Sequence, residues 1–220
     1  MAHMSTLTAL PKRRQSTGEE IANSISHGLG TVAGALAAPV LIYAGLRRGD
    51  PAFIVGVSIF AATIVLMYLS STLYHALADN RAKRVFRVLD HGAIYFLIAG
   101  TYTPFTLGVL GGAWGWTLFG TVWALAIAGV VMKSTGRAWG PIFSTGLYLL
   151  MGWLAVIAIR PLWAQLPRAS IAWLAAGGLA YTGGIGFYAA RRLRYGHFVW
   201  HLFVVAGTVC HVMAVIACTL

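Results

Sequence analysis

Seven apolar stretches, each about as long as a membrane-spanning helix, constrain the fold of this chain more than any other feature. A helix needs roughly 20 mainly apolar residues to cross the hydrocarbon core of a bilayer. Hydrophobic residues make up 59% of the sequence and charged residues only 10%, well below the roughly 25% that are charged in a soluble domain. The stretches run from His27 to Leu46, Pro51 to Leu77, Asp90 to Leu110, Ala113 to Met132, Pro141 to Ile159, Ala169 to Ala190 and His197 to Leu220. They predict an all-α integral membrane protein, a seven-transmembrane helix bundle.

The distribution of basic residues predicts the orientation of this bundle. Of the 16 Lys and Arg residues, twelve fall in the N-terminal segment and in the second, fourth and sixth loops. The other four are Arg47, Arg48, Arg160 and Arg168. Because cytoplasmic loops carry an excess of Lys and Arg, we expect the N-terminus in the cytoplasm and the C-terminus outside. A G-protein-coupled receptor has the reverse orientation, so this class is not favoured.

The net charge of +11 does not indicate a nucleic-acid-binding protein. The basic residues lie in short gaps between apolar stretches, where they would face an anionic membrane leaflet. The sequence has no basic helix interleaved with aromatics of the kind that binds nucleic acid. We therefore do not expect a nucleic acid as a partner.

A polar N-terminal segment, residues 1–24, precedes one predicted transmembrane domain, residues 25–220. The polar segment contains no apolar core long enough for a signal peptide. Its first residues, Met1 to Met4, are interpreted as a vector-derived start before a native methionine at position 4.

Three histidines lie at the ends of stretches that this topology brings to the cytoplasmic side. His75 closes the second stretch, in the pattern Ser71-x-x-x-His75. His197 and His201 open the seventh stretch, four residues apart and so on one helical face. Three neutral imidazoles at one membrane depth predict a metal site, which suits Zn²⁺ best, although Fe, Co or Ni could occupy it. Zinc held by three protein ligands keeps a fourth position for water, which is a catalytic arrangement. A histidine at a membrane boundary can also be a solvated anchor, and this alternative stays open.

Two polar residues near these histidines are predicted to be catalytic. Asp90, at the start of the third stretch, could orient the water on the metal or take its proton. The alternative is a purely structural role, because an Asp just before an apolar helix is a good N-cap. Ser71 could hold the water, or its hydroxyl could bond only to its own helix backbone.

The roles of four further polar residues are left open by their spacing. Glu20, Asn23 and His27 lie three and seven positions apart, on one helical stripe that could join the polar cluster. A ligand role for His27 is one possibility among several. His211 lies ten residues beyond His201, roughly 15 Å along the helix. We expect it to hydrogen-bond a neighbouring helix rather than to share the metal site.

Four motifs give the chain a family resemblance over residues 18 to 220. They are Glu20-x-x-Asn23-x-x-x-His27, Ser71-x-x-x-His75, LDHGAIYFLIAGTYTPF from Leu89, and HFVWHLFVVAGTVCH from His197. In these motifs the chain resembles the hemolysin III proteins, the bacterial branch of the progestin and adipoQ receptor superfamily. The resemblance implies seven membrane-spanning helices with a cytoplasmic N-terminus, in a protein of the bacterial cell (inner) membrane. It also implies zinc held by His75, His197 and His201, with Ser71 and Asp90 near the water on the zinc.

Three functions stay open at this point. The first is a zinc-dependent intramembrane hydrolase of a lipid amide or ester, because the family is similar to membrane ceramidases and its bacterial members have been linked to lipid homeostasis. The second is a non-catalytic sensor or receptor-like protein with structural zinc. The third is a pore-forming hemolysin, since the bacterial members are named for cytolysis. A retinal-based pump is excluded because Lys12, Lys83 and Lys133, the three lysines of the chain, all lie outside the seventh stretch. The sequence does not predict an oligomeric state.

Overall fold

The computed structural model describes residues 13–135, 140–190 and 192–219, apart from the side chain of residue 141. Its helices are α1 (Thr17–Arg48), α2 (Pro51–Ala76), α3 (Arg81–Phe105), α4 (Gly112–Ser134), α5 (Pro141–Trp153), α6 (Ile159–Gln165), α7 (Arg168–Ala189) and α8 (Gly196–Ala217). A π-helical turn, Thr106–Leu110, extends α3, and a 3-10 segment, Leu154–Ala158, joins α5 to α6. Every regular element in these ranges is helical, which confirms the predicted all-α class.

Six helical segments of the described chain are long and apolar enough to cross a membrane. They are α1, α2, α3 with its π-helical turn, α4, the segment Ile142–Gln165 and α8, and they identify an all-α membrane protein. Helix α7 has 22 residues but is not among the six, since its five glycines and its hydroxyl-bearing residues lower its mean hydropathy. The predicted seventh span and the predicted sides of the two termini therefore stay predictions.

Helices α1 and α3 begin about ten residues earlier than the apolar stretches that predicted them. Helix α1 begins at Thr17, capped by a reciprocal pair of hydrogen bonds between Ser16 and Glu19. Helix α3 begins at Arg81, and the side chain of Asn80 accepts from the backbone N–H of Lys83 at 3.0 Å. The N-cap of α3 is therefore Asn80, and the interpretation of Asp90 as an N-cap is wrong.

The other predicted stretches match helices closely, with one extension. The second, fourth, sixth and seventh stretches agree with α2, α4, α7 and α8 to within a few residues. The fifth, predicted to end at Ile159, continues through α6 to Gln165. Helix α1 crosses the predicted boundary between residues 24 and 25, and the division into a polar segment and a transmembrane domain stays a prediction. The predicted vector-derived start, Met1 to Met4, lies outside the described residues.

Helix α1 packs against both α2 and α8, and α7 packs along α8. Glycines make the α1–α2 contact close: a Cβ on Gly30 would lie 2.6 Å from the ring of Tyr68, and one on Gly34 would lie 2.6 Å from Ile64. The opposite side of α1 exposes a row of large apolar side chains, as a lipid-facing surface does: Ile21, Ile25, Leu29, Val32, Leu36 and Val40. This packing brings the end of α2 and the start of α8 to the N-terminal turns of α1.

Candidate metal centre

Three histidines from two helices meet at one end of the bundle, and we call them the three-histidine cluster: His75 of α2, and His197 and His201 of α8. Each offers a ring nitrogen that lies within 4.8 Å of the corresponding atoms of the other two. Their ring centroids lie 4.7 to 5.2 Å apart. His75 and His201 are buried, and His197 is partly buried. Tetrahedral zinc–imidazole bonds place ligand nitrogens about 3.4 Å apart, so small side-chain movements suffice to close the cluster around an ion.

Hydrogen bonds from α1 orient two of the three rings. The Nδ1 of His75 lies 2.9 Å from Oε2 of Glu20. The Nδ1 of His201 lies 3.1 Å from Oγ of Ser26 and 3.3 Å from the backbone oxygen of Asn23. With Nδ1 occupied in this way, Nε2 is the atom left to bind a metal, as in most metal-binding histidines. The Nε2 of His75 is buried and has no hydrogen-bond partner. The rings and their supports therefore fit a metal ion.

Glu20 contacts the three-histidine cluster directly, whereas the sequence left its role open. Its Oε2 accepts from His75 and also from Nζ of Lys83, at 3.2 Å. Lys83 additionally donates to the backbone oxygen of Leu77, the C-cap of α2, at 3.1 Å. The lysine thus holds both the carboxylate and the helix end that carries His75. Only the helical stripe of Glu20, Asn23 and His27 pointed to this contact, and nothing in the sequence pointed to Lys83.

His27 stacks on the cluster without joining it. Its ring lies parallel to that of His201, with centroids 3.5 Å apart, and edge-on to Tyr68 at 5.0 Å. Both of its ring nitrogens are buried and lack a hydrogen-bond partner. Because a parallel stack directs the ring nitrogens past the neighbouring ring rather than toward it, the geometry favours packing over a ligand role.

Ser71 and Asp90 line the same cavity as His197 and His201, as the prediction of a shared site requires. The cavity has a volume of about 110 Å³. Ser71 is fully buried, and its Oγ makes no hydrogen bond to the protein, so the alternative that it bonds to its own helix backbone is wrong. Asp90 is 8% exposed, and its Oδ2 lies 3.7 Å from Nδ1 of His91, which donates to a backbone oxygen at 2.6 Å.

Away from the cluster, the cavity is lined mainly by apolar side chains of α3, α5, α7 and α8, among them Ile94, Leu97, Ile98, Leu149, Ile185 and Val204. His211 also lines it. The ring of His211 packs against Gly177 and lies 5.4 Å from the ring of Tyr181, both in α7, so it contacts the neighbouring helix, and the expected hydrogen bond to that helix stays a prediction. A polar end and an apolar body are what a lipid-like molecule needs.

The chain has clear relatives among known proteins. The family described as haemolysin-III related matches residues 15–212. A hemolysin-3 homolog of Bacillus subtilis is 43% identical over 190 residues, which cover 86% of this chain and 89% of that protein. The hemolysin-3 of Bacillus cereus is 39% identical over 199 residues, covering 90% and 91% of the two chains. The human monocyte to macrophage differentiation factor is 24% identical over 167 residues, which cover 71% of this chain and 67% of that protein. No solved structure matches the chain significantly.

Proposed function

The chain belongs to the haemolysin-III related family, and on that premise we propose that it is a zinc-dependent hydrolase of a membrane lipid amide or ester. The three-histidine cluster carries the proposal, because three converging imidazoles with supported Nδ1 atoms form a typical zinc ligand set. A buried carboxylate, a buried hydroxyl without a partner and an apolar cavity adjoin it. Together they supply the groups that hydrolysis of an acyl bond requires.

Two polar residues of the cavity, Asp90 and Ser71, have tasks in the proposed reaction. The zinc ion, when bound, supplies Lewis-acid chemistry, polarising a carbonyl and making water acidic near neutral pH. The carboxylate of Asp90 takes the proton from the attacking water and passes it to the leaving nitrogen or oxygen. The hydroxyl of Ser71 donates a hydrogen bond to the carbonyl oxygen as negative charge develops there. The apolar walls hold the acyl chain and keep bulk water away from the reacting bond.

We place this cavity in a bundle of seven transmembrane helices in a bacterial cell membrane, with residues 25–220 as the transmembrane domain. Helix α7 serves as the additional span: it is 22 residues long, and its one charged residue, Arg168, stands at its first position. The excess of basic residues in the even-numbered loops supports a cytoplasmic N-terminus and an external C-terminus. In this orientation the cluster faces the cytoplasmic leaflet.

The first prediction separates catalysis from metal binding. Purified protein should contain one zinc per chain and should release fatty acid from a ceramide-like amide or from an ester analogue. We expect Asp90→Asn and Ser71→Ala to keep the zinc but to lower kcat at least about a hundredfold, because a proton carrier and an oxyanion donor each contribute this much. Metal analysis and a lipid-product assay on the same samples measure both effects.

Two matched variants serve as controls for this experiment. Asp79→Asn removes an exposed carboxylate outside the cavity. Ser70→Ala removes a buried hydroxyl that bonds to the backbone of Met67. Both should turn over substrate like the wild type. Unchanged activity in Asp90→Asn would exclude the mechanism.

A second candidate function is a sensor in which zinc is only structural. The observation that favours it is that the cluster joins α2 to α8 and is supported by α1, so a bound ion would hold three helices together. We predict that zinc added to metal-free protein raises Tm, because a ligand at 100 times its Kd stabilises the folded state by about 2.7 kcal/mol. His75→Ala should lose this response, whereas His91→Gln should keep it, and thermal unfolding with and without zinc measures the difference. A Tm shift without any lipid product would favour the sensor over the hydrolase, and the absence of a shift would exclude both.

A further inference from the structure

Helix α1 makes a separate contact with each of the two chain segments that carry the cluster. Glu20 reaches His75 near the end of α2. Its neighbour Glu19 accepts from the backbone N–H of Tyr195 at 2.8 Å, in the turn directly before α8. Adjacent positions on a helix project about 100° apart, so two consecutive carboxylates can reach two different neighbours. The contact of Glu19 belongs to none of the motifs that point to the metal site.

Glu19 is held firmly in this position. It is 3% exposed, and its Oε2 accepts from the backbone N–H and the hydroxyl of Ser16, at 2.9 and 3.0 Å. The guanidinium of Arg13 binds both carboxylate oxygens. With Oε1 also bonded to the Tyr195 amide, the carboxylate is fully satisfied and has one available geometry.

The turn that Glu19 holds is strained and lacks a cap of its own. Tyr195 has φ of 58° and ψ of 12°, the one left-handed non-glycine residue of the described chain, a conformation that L-residues rarely adopt. Helix α8 begins at the next residue, and no side chain caps it. His197 follows Tyr195 by only two positions, so the direction of this turn sets where the imidazole of His197 enters the cluster.

We propose that Glu19 is a positioning residue of the metal centre, which fixes the turn at Tyr195 and thereby places His197. This inference rests on the proposed metal-binding role of the cluster. The first turns of α1 then orient all three imidazoles. Glu20 hydrogen-bonds the ring of His75, and Ser26 and Asn23 hydrogen-bond the ring of His201. Glu19 orients His197 indirectly, through the backbone of Tyr195. The competing explanation is that Glu19 only caps α1, as the third helical residue of many helices does.

Zinc affinity and thermal stability, measured together, distinguish the two explanations. We expect Glu19→Ala to weaken zinc binding about tenfold or more, the usual cost of losing a group that orients a ligand. Ser16→Ala removes the cap of α1 but leaves the Tyr195 contact, so it should lower Tm without changing zinc affinity. Glu19→Gln keeps an acceptor for the Tyr195 amide and should recover most of the affinity. Glu19→Asp, too short to reach Arg13 and Tyr195 together, replaces Glu19→Ala if that variant does not fold.

A double-mutant cycle tests whether the effect passes through His197. In a His197→Ala background, Glu19→Ala should cause no further loss of zinc affinity, whereas Glu20→Gln, acting on His75, should still cause one. An equal loss from Glu19→Ala in both backgrounds, or wild-type affinity in Glu19→Ala, would overturn the proposal.

A measurement on metal-free protein keeps this inference separable from the proposed function. Hydrogen exchange at the amides of residues 192–199 should speed up in Glu19→Ala and stay at the wild-type rate in Ser16→Ala. If the wild type binds no zinc, the proposed metal site and the role of Glu19 in it are both wrong, even if Glu19→Ala speeds up exchange in residues 192–199. If zinc binds but exchange in the turn is unchanged by Glu19→Ala, only the positioning role is wrong.

Discussion

At the scale of single residues, the cluster depends on groups that bind no metal themselves. The bond from His75 to Glu20 is charge-assisted on the acceptor side, and it selects the tautomer that leaves Nε2 available. Lys83 holds the carboxylate of Glu20 close to the end of α2. A neutral amide at position 20 could accept the same hydrogen bond but would not increase the basicity of the imidazole as a carboxylate does.

We therefore predict that Glu20→Gln lowers zinc affinity about 10- to 100-fold, the range found when such supporting groups are removed. Competition against a chromophoric chelator measures the change. Asp50→Asn, which removes the N-cap carboxylate at the opposite end of α2, is the control and should bind zinc like the wild type. Equal affinity in Glu20→Gln and wild type would mean that the bond to His75 is incidental.

The sequence predicted that the three histidines meet but not which groups support them, for a physical reason. His75, His197 and His201 could be grouped because helical spacing and the predicted membrane topology together place them at one expected depth. His75, the partner of Glu20, lies 55 residues away in the sequence, and Tyr195, which donates to Glu19, lies 176 residues away. No helical periodicity relates positions so far apart. The sequence could not show that the hydroxyl of Ser71 lacks a partner. Its neighbour Ser70 bonds to its own helix backbone, and only the packing around each residue distinguishes the two hydroxyls.

At the scale of helices, the apolar stretches predicted the positions of the long helices but not where α1 and α3 begin. Helices α1 and α3 continue for two to three turns beyond their apolar parts, because capping by Ser16 and Asn80 supports polar helical turns that hydropathy does not register. These turns carry Glu19, Glu20 and Lys83, so the part of the fold that hydropathy missed is the part that contacts the three-histidine cluster and the turn before α8.

Close helix contacts make a prediction at this scale. A Cβ on Gly56 of α2 would lie 2.6 Å from the Cα of Pro104 and 2.9 Å from its backbone nitrogen. Because backbone atoms cannot move aside as a side chain can, we expect Gly56→Ala to destabilise the protein by about 1–3 kcal/mol through overpacking. Gly146→Ala is the matched control, since a Cβ on Gly146 would have no atom of the described residues within 4 Å, and it should be neutral or stabilising. Thermal unfolding of both variants in detergent measures the difference in stability. Equal Tm values would contradict the close contact between Gly56 and Pro104.

At the scale of the whole molecule, the number of spans decides whether the two termini lie on the same side of the membrane or on opposite sides. Six segments within the described residues are apolar enough to span, and α7 differs from them by its glycines rather than by its charge. A helix of 22 residues is roughly 33 Å long, enough for a hydrocarbon core of about 30 Å. Glycines also let α7 approach α8 closely: a Cβ on Gly184 would lie 2.7 Å from Phe203. Two of the five glycines of α7, Gly177 and Gly184, lie where a Cβ would clash with α8, and such close packing is compatible with spanning.

Reporter fusions test this topology directly. With seven spans, the termini lie on opposite sides of the membrane, so alkaline phosphatase fused after the C-terminus should be active and a fluorescent protein fused before the N-terminus should fluoresce. The exchanged fusions should both be silent, because the phosphatase folds only outside and the fluorescent protein only in the cytoplasm. A phosphatase fused to a chain that ends at Arg194, before α8, should also be inactive. If α7 did not span, both termini would share one side: a C-terminal fluorescent protein would then be bright, and the twelve-to-four division of basic residues would have to be explained without the seventh helix.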